Sequence, residues 1–215
     1  FSCKRRGFCP SCGARRMAQT AAHLVDHVIP HVPVRQWVLS LPIPLRLLLA
    51  AQPQLLTPVL QVVQRVLTRF LLEQAGLKAD EADSGAITLI QRFGSAANLN
   101  IHLHCLVLDG VYRRSTDGEP VFVEVAAPTD EALQAVLHKI INRTMKLLTR
   151  RGALVEEQGS TYMADNEANS DDARALSTLQ AAACTYRIAF GPRAGQKVLT
   201  LQGALPREPD FKQDL

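Results

Sequence analysis

Two short runs, 86–93 and 100–108, constrain the fold most, because both are rich in β-branched or apolar residues and only 94–98 separates them. Runs of this length and composition, joined by a short loop that contains glycine, predict two antiparallel strands. The second run carries His102 and His104, and alternation along a strand puts both imidazoles on one face. The opposite face then carries four apolar side chains, Ile101, Leu103, Cys105 and Val107.

The histidine pair suggests a metal site. Two imidazoles one strand repeat apart can both ligate a divalent ion, which normally takes a third protein ligand from a neighbouring element. Gln91 becomes the candidate third ligand if the strand register sets it opposite His102, although the sequence does not fix that register. The alternative interpretation is an ordinary half-exposed strand with no ligand, and the two residues alone leave both interpretations open.

A cysteine cluster begins the chain, with Cys3, Cys9 and Cys12 in a C-x5-C-x2-C spacing. Proline follows Cys9 and glycine follows Cys12, and a turn of that kind directs thiolates at one zinc ion. A disulfide framework is disfavoured because the chain has five cysteines and nothing marks it as secreted. We therefore predict an N-terminal zinc knuckle that lacks its fourth ligand.

Two sources of that fourth ligand remain open. A cysteine upstream of Phe1 would complete a four-cysteine site, and the chain is expected to be incomplete at this end. Alternatively, His23 and His27 could join Cys9 and Cys12 in an arrangement close to a two-Cys two-His finger. These histidines lie on a predicted helix, 18–28, whose polar face would otherwise simply contact solvent.

Charge is distributed unevenly along the chain. Residues 1–72 carry nine Lys and Arg against one acid, Asp26, whereas residues 73–215 carry fifteen against nineteen acids. A basic half favours docking of a polyanion such as nucleic acid, with a solvated basic face as the alternative. The candidate DNA-binding residues in this half are Lys4, Arg5, Arg6, Arg15 and Arg16.

The remaining pattern predicts an α+β fold in which helices pack on an antiparallel sheet. A strand is expected over 33–41, a helix over 44–51, and a further strand over 121–125. Thr57 is expected to cap a helix that ends at Gly76 and carries an apolar stripe of Val59, Val63, Val66, Leu67, Phe70 and Leu71. Thr129 is expected to cap another helix, which finishes at 150–152 and has one face made of Leu133, Val136, Leu137, Ile140, Ile141, Thr144 and Leu148. Composition excludes a membrane protein, because the most apolar region, 37–63, is interrupted by Arg46 and four prolines. The predicted domains are a knuckle and helix (1–30), the α+β domain (31–152), an acidic linker (153–172) and an incomplete C-terminal part (173–215) with a helix over 172–186.

Four separated motifs resemble the rolling-circle transposases of the insertion sequence ninety-one family. They occur in the family's order and cover residues 1–110 strongly and the remainder weakly. The motifs are Cys-Lys-Arg-Arg-Gly-Phe-Cys-Pro-Ser-Cys-Gly-Ala-Arg-Arg-Met, Val-Arg-Gln-Trp-Val-Leu-Ser-Leu-Pro, Leu-Ile-Gln-Arg-Phe-Gly-Ser and Leu-Asn-Ile-His-Leu-His, which begin at Cys3, Val34, Leu89 and Leu99.

The resemblance implies a zinc-binding domain followed by a His-hydrophobe-His (HUH) single-strand DNA endonuclease. His102 and His104, with Gln91 as a candidate partner, would hold Mg²⁺ or Mn²⁺ on the scissile phosphate, and Arg92 would join the DNA-binding residues. A tyrosine would attack that phosphate and become a 5′-phosphotyrosine. The resemblance also implies a bacterial cytoplasmic, nucleoid-associated protein whose partner is single-stranded DNA at transposon ends.

The chain departs from the family pattern at its nucleophile. Tyr112, Tyr162 and Tyr186 do not match the family's tyrosine motif, so the nucleophile is expected beyond Leu215 and the chain is expected to be a fragment. Two other functions stay open on the sequence. One is a zinc-dependent DNA-binding module without catalysis, and the other is a metal-dependent nuclease that uses water in place of tyrosine.

Overall fold

The structure is a computed structural model, and it describes residues 10–93, 99–115, 118–157, 160–163 and 192. The chain divides into two compact units. The described residues of unit 1 fall within 1–38, 59–89 and 104–146, and those of unit 2 fall within 39–58, 90–103 and 147–215.

Helices and strands alternate along the described residues. The helices are α1 (Pro10–His27), α2 (Ile43–Ala51), α3 (Leu56–Ala75) and α4 (Asp130–Arg150), with a 3-10 turn at Pro53–Leu55 before α3. The strands are β1 (Val34–Ser40), β2 (Ala82–Asp83), β3 (Ala86–Phe93), β4 (Leu99–Leu108), β5 (Gly110–Arg113), β6 (Val121–Glu124), β7 (Leu154–Glu157) and β8 (Ser160–Met163). The predicted α+β class is confirmed.

The strand that carries the histidine pair lies in the middle of a three-stranded sheet of order β1-β4-β3. The β3 and β4 bounds agree closely with the two predicted runs. The amide of Asp109, just after β4, donates to the carbonyl of Pro33, just before β1, so the end of β4 lies beside the start of β1. A middle position gives β4 a hydrogen-bonded neighbour on each side, which fixes the directions of its side chains.

A second sheet, of order β2-β5-β6, was not predicted. Both of its pairs are antiparallel, with Ala82 opposite Arg113 and Gly110 opposite Glu124. A Cβ at Gly110 would overlap the carbonyl oxygen of Val123, so the close approach of these strands requires glycine at that position.

The long helix α3 supplies much of the core. Its predicted apolar stripe is buried, and the stripe is wider than expected because Val62 and Leu72 are buried as well. Thr57 was predicted to cap this helix, but the 3-10 turn precedes the helix and places Thr57 inside its first turn. The end is as predicted, since Gly76 has a φ of 67° that suits glycine.

Helix α4 begins and ends as predicted. The hydroxyl of Thr129 accepts a hydrogen bond from the amide of Ala132 at 3.2 Å, and Gly152 has a φ of 68° just past the end. Its predicted apolar face is only partly buried. The buried members are Val136, Ile140, Thr144 and Leu148, whereas Leu133, Leu137 and Ile141 are 39–46% exposed.

Two local predictions need correction. Helix α1 begins at Pro10, eight residues before the predicted start, because proline is well accommodated in a first helical turn. Where a linker was predicted from residue 153, Leu154–Glu157 and Ser160–Met163 pair as an antiparallel hairpin, and Ala153 and Leu154 are buried. The predicted helix over 172–186 lies outside the described residues.

Within the described residues, one helical stretch, Pro53–Ala75, is long and apolar enough to cross a membrane by length and composition. Most of its apolar window is buried inside the protein, as in the core helix of a folded domain.

Candidate active site

The two faces of β4 differ in burial as the sequence predicted. Ile101, Leu103, Cys105 and Val107 are no more than 2% exposed, whereas His102 and His104 are half-buried. The alternation puts both imidazoles on the more open face of the same strand.

His102 is oriented by the backbone of its own strand. Its Nδ1 lies 2.7 Å from the carbonyl oxygen of Asn100. A carbonyl oxygen only accepts hydrogen bonds, so Nδ1 carries the proton and donates it. The lone pair of the neutral ring then resides on Nε2, which is the state in which imidazole binds a metal. The chemistry of this residue therefore fits a metal ligand.

His104 is contacted by a side chain that the sequence analysis did not single out. The amide nitrogen of Gln36, on β1, lies 2.9 Å from Nδ1 of His104. The order β1-β4-β3 makes this contact possible, because β1 and not only the hairpin partner β3 lies beside β4. A signal existed in the sequence, since alternation along 34–40 sets Gln36 opposite to Arg35 and Trp37, on the exposed side of β1.

The other side of β1 holds the strand in place. Arg35 makes a bidentate ion pair with Asp109, with Nε 2.9 Å from Oδ1 and the second contact between Nη2 and Oδ2. The Trp37 ring packs against Phe70 of α3, with ring centroids 6.0 Å apart in an edge-on arrangement. These contacts flank Gln36 in sequence and fix the backbone that presents it.

Gln91, the predicted third ligand, is exposed on β3, the other neighbour of β4. Two contacts define how the strands meet in unit 1. The Leu108 amide donates to the carbonyl of Gly85 at 3.1 Å, and the Thr88 hydroxyl donates to the sulfur of Cys105 at 3.3 Å. Both contacts correspond to the same antiparallel register.

The buried side of β4 carries a thiol that is structural. Gln64 donates from Nε2 to the Thr88 hydroxyl at 2.5 Å, and that hydroxyl donates to Cys105. Burial raises the pKa of the Cys105 thiol, against a smaller opposing effect of the hydrogen bond from Thr88. A thiol kept neutral in this way is neither a good nucleophile nor a metal ligand.

Most of the residues predicted to bind zinc or DNA lie outside the part of the chain whose side chains the structure describes. Cys3, Cys9, Lys4, Arg5 and Arg6 lie outside the described residues, and Cys12 is described only as part of α1. Arg15 and Arg16, on α1, and Arg92, on β3, are exposed, as phosphate-binding side chains need to be.

The alternative zinc ligands His23 and His27 are exposed one helical turn apart, with ring centroids 5.4 Å apart. In the part of the chain that the structure describes, no three His, Cys, Asp or Glu side chains are grouped closely enough to hold a metal.

The described tyrosine side chain serves packing. Tyr112, on β5, is half-buried, and its ring contacts that of Phe122 with centroids 5.1 Å apart. Tyr162 lies on β8, and Tyr186 lies outside the described residues.

Comparison with known proteins gave two family matches. A family described as "Putative transposase" matches residues 85–198, which is more than half of the chain and includes β3 and β4. A family described as "Transposase zinc-binding domain" matches residues 1–41. A comparison with curated proteins gave no match.

Two solved structures of the conjugative relaxase TrwC in complex with oriT DNA are similar to this chain. The copper-bound structure has a TM-score of 0.33 and 15% identity, and the match covers 60% of this chain and 47% of the relaxase chain. The metal-free structure has a TM-score of 0.36 and 13% identity, and the match covers 80% of this chain and 68% of the other. The chain thus spans about half the length of the first of these relaxases.

Proposed function

We propose that this chain nicks and rejoins single-stranded DNA through a metal-assisted phosphotyrosine intermediate, because it belongs to the transposase family of insertion sequence ninety-one. Membership of the family implies DNA transposition, and the histidine face of β4 supports metal-assisted cleavage of the strand. The observation that carries most weight is the Nδ1 contact of His102 with Asn100, which puts the lone pair of the neutral imidazole on Nε2.

His102 and His104 are the proposed ligands of Mg²⁺ or Mn²⁺. When bound, the ion would act as a Lewis acid on a phosphate oxygen of the scissile group. Gln91 is the proposed third ligand. If the register of Gly85 with Leu108 and Thr88 with Cys105 continues three residues along both strands, Gln91 lies opposite His102, which supports this role. Residues directly opposite in an antiparallel pair point to the same face.

The covalent chemistry is a balanced exchange of phosphate esters. A tyrosine hydroxyl oxygen forms a bond to phosphorus, the bond from phosphorus to the 3′ oxygen breaks, and the phenolic proton ends on the released 3′ hydroxyl. Reversal with a new 3′ hydroxyl rejoins the strand without ATP. We propose that the tyrosine lies outside residues 1–215, because Tyr112, Tyr162 and Tyr186 do not match the family's tyrosine motif and the Tyr112 ring packs on Phe122 in the second sheet.

The basic and cysteine-bearing N-terminal region would hold the DNA. Cys3, Cys9 and Cys12 are the proposed zinc ligands, and zinc content should be lost from a Cys9→Ser, Cys12→Ser double variant. The exposed Arg15, Arg16 and Arg92 are proposed to contact phosphates, together with Lys4, Arg5 and Arg6. We propose that a protein with this function acts in the bacterial cytoplasm, at the nucleoid.

A denaturing gel tests the proposal. Labelled single-stranded DNA carrying a transposon end is incubated with Mg²⁺ or Mn²⁺ and either residues 1–215 or a chain extended past Leu215. The extended chain should form a covalent band and the shorter chain should not. His102→Ala and His104→Ala should each weaken the band of the extended chain by about 10³-fold, because metal assistance is worth several kcal/mol.

His138→Ala is the matched control, since His138 lies exposed on α4 and its Nδ1 contacts only the local carbonyl of Gln134 in the hydrogen bonds described. That variant should keep the band. A band from residues 1–215 that disappears in Tyr112→Phe or Tyr162→Phe would show that the nucleophile is misplaced. Cleavage without a covalent band would favour a water-dependent nuclease, and DNA binding without cleavage would favour a binding module.

A further inference from the structure

The contact between Gln36 and His104 has two chemical forms. A neutral imidazole carries one proton, on Nδ1 or on Nε2. In the structure the Gln36 amide nitrogen lies 2.9 Å from Nδ1, an arrangement in which the amide donates and His104 carries its proton on Nε2. A half turn of the amide exchanges nitrogen for oxygen at almost the same position. The amide oxygen would then accept from Nδ1, and the lone pair would move to Nε2.

We propose that Gln36 is a positioning residue that selects which nitrogen of His104 carries the proton, and thereby whether His104 can ligate a metal. This inference rests on the proposed function for its purpose, but the proton position itself is a property of the metal-free protein. Gln36 does not need to touch the ion. Its effect on the ion is transmitted through the imidazole of His104.

The two histidines differ in how firmly their protons are placed. The carbonyl of Asn100 can only accept, so it holds His102 in the form whose proton is on Nδ1. Gln36 can donate or accept, so its contact with His104 is compatible with either form of that imidazole. Metal loading would be accompanied by the half turn of the amide, and His104 would be the ligand that responds.

The surroundings of Gln36 suit a positioning role. The ion pair of Arg35 with Asp109 and the packing of Trp37 on Phe70 hold the strand on both sides of it in sequence. Gln36 itself is exposed on the other side of β1, so its amide has room to turn. A fixed backbone with a rotatable end group limits the motion to the amide.

Two substitutions distinguish the acceptor role of the Gln36 side chain from its donor role in the hydrogen bond with His104. Gln36→Glu keeps the shape and leaves only acceptor oxygens, so it should hold the proton on Nδ1 of His104. Gln36→Met keeps the length and removes both functions. Gln74→Met, at an exposed glutamine near the end of α3, controls for loss of a surface amide.

Nitrogen-15 spectra of the metal-free protein report the proton position directly. They are recorded in buffer alkaline enough for neutral imidazoles. Wild type and Gln74→Met should show His104 mainly with its proton on Nε2, and Gln36→Glu should show it on Nδ1. His102 should keep its proton on Nδ1 in every variant. An identical His104 spectrum in wild type and Gln36→Glu would overturn the proposal.

Binding of Mn²⁺ alone provides the second readout. Loss of a residue that orients a metal-binding histidine typically weakens affinity ten- to hundredfold. Gln36→Met offers no acceptor for the Nδ1 proton, so it should bind Mn²⁺ more weakly than Gln36→Glu by about that factor, and Gln74→Met should match wild type. Equal affinity in Gln36→Met and Gln36→Glu would overturn the proposal. A shift of the proton in Gln36→Glu without Mn²⁺ binding by any protein would overturn the link from Gln36 to metal binding and contradict the proposed function as well.

Discussion

The two faces of β4 differ in role, because one packs in the core and the other carries the histidine pair. On one face, Leu103 is 0% exposed and its apolar neighbours at alternate positions are almost as buried. On the other face, His102 and His104 are half-buried and contact polar groups through Nδ1. The apolar face ties the strand into the core, and this anchoring restricts the motion of the imidazoles. Alternation within one strand thus separates stability from chemistry at neighbouring positions.

The largest expected effect on stability is at Leu103. Leu103→Ala should lower the free energy of unfolding by about 3 kcal/mol, through lost burial and the cavity that remains. His102→Ala, at the neighbouring position on the other face, should lower it by less than about 1 kcal/mol. Urea unfolding followed by circular dichroism measures both. Similar losses in the two variants would break the comparison between the faces.

A smaller effect is expected where a charge helps to hold β1 beside β4. The Arg35 and Asp109 side chains are 31% and 14% exposed, whereas the equally bidentate pair of Arg114 with Asp83 is 55% and 65% exposed. Arg35→Met should cost about 1 kcal/mol, because its charge-assisted hydrogen bonds are partly shielded from water. Arg114→Met should leave the unfolding midpoint unchanged. The reverse order would assign the stabilising pair to the second sheet.

The smallest effect is a pH dependence on the buried face. Burial raises the folded-state pKa of Cys105 above that of the unfolded thiol, which is about 8.5. Its contribution to stability is therefore complete below that pH and is lost as the pH rises through the folded-state pKa. Over the first unit above pH 8.5 wild type should lose more stability than Cys105→Ala, by less than about 1 kcal/mol. Parallel curves for the two proteins would show that the thiol is equally solvated in both states.

The sequence predicted the parts of the fold that local pattern determines. β3 and β4 are neighbours in the chain and each has a continuous apolar pattern, so the hairpin and its histidine face were predicted closely. Helix α4 was bounded correctly because Thr129 and Gly152 act within one turn of its ends. The zinc ligands and the metal ligands stay predictions.

The parts that the sequence did not predict depend on distant pairing. β5 spans only Gly110–Arg113 and begins with glycine, so its strand character comes from its partners β2 and β6 and not from its own composition. Gln36 was missed for the same reason. Its importance follows from β1 lying beside β4, and no pattern within 34–40 indicates which strand will be its neighbour.

The separation of Gln36 from His104 has a consequence for the order in which the site matures during folding. The contact that orients His102 spans two residues and can form with its own strand. The contact at His104 spans 68 residues, and closing a longer loop costs more chain entropy. The ion pair that holds β1 spans 74 residues and has the same requirement. In a newly synthesised chain the two imidazoles would therefore gain their orienting hydrogen bonds at different times. His104 would gain its own only after β1 has joined the sheet.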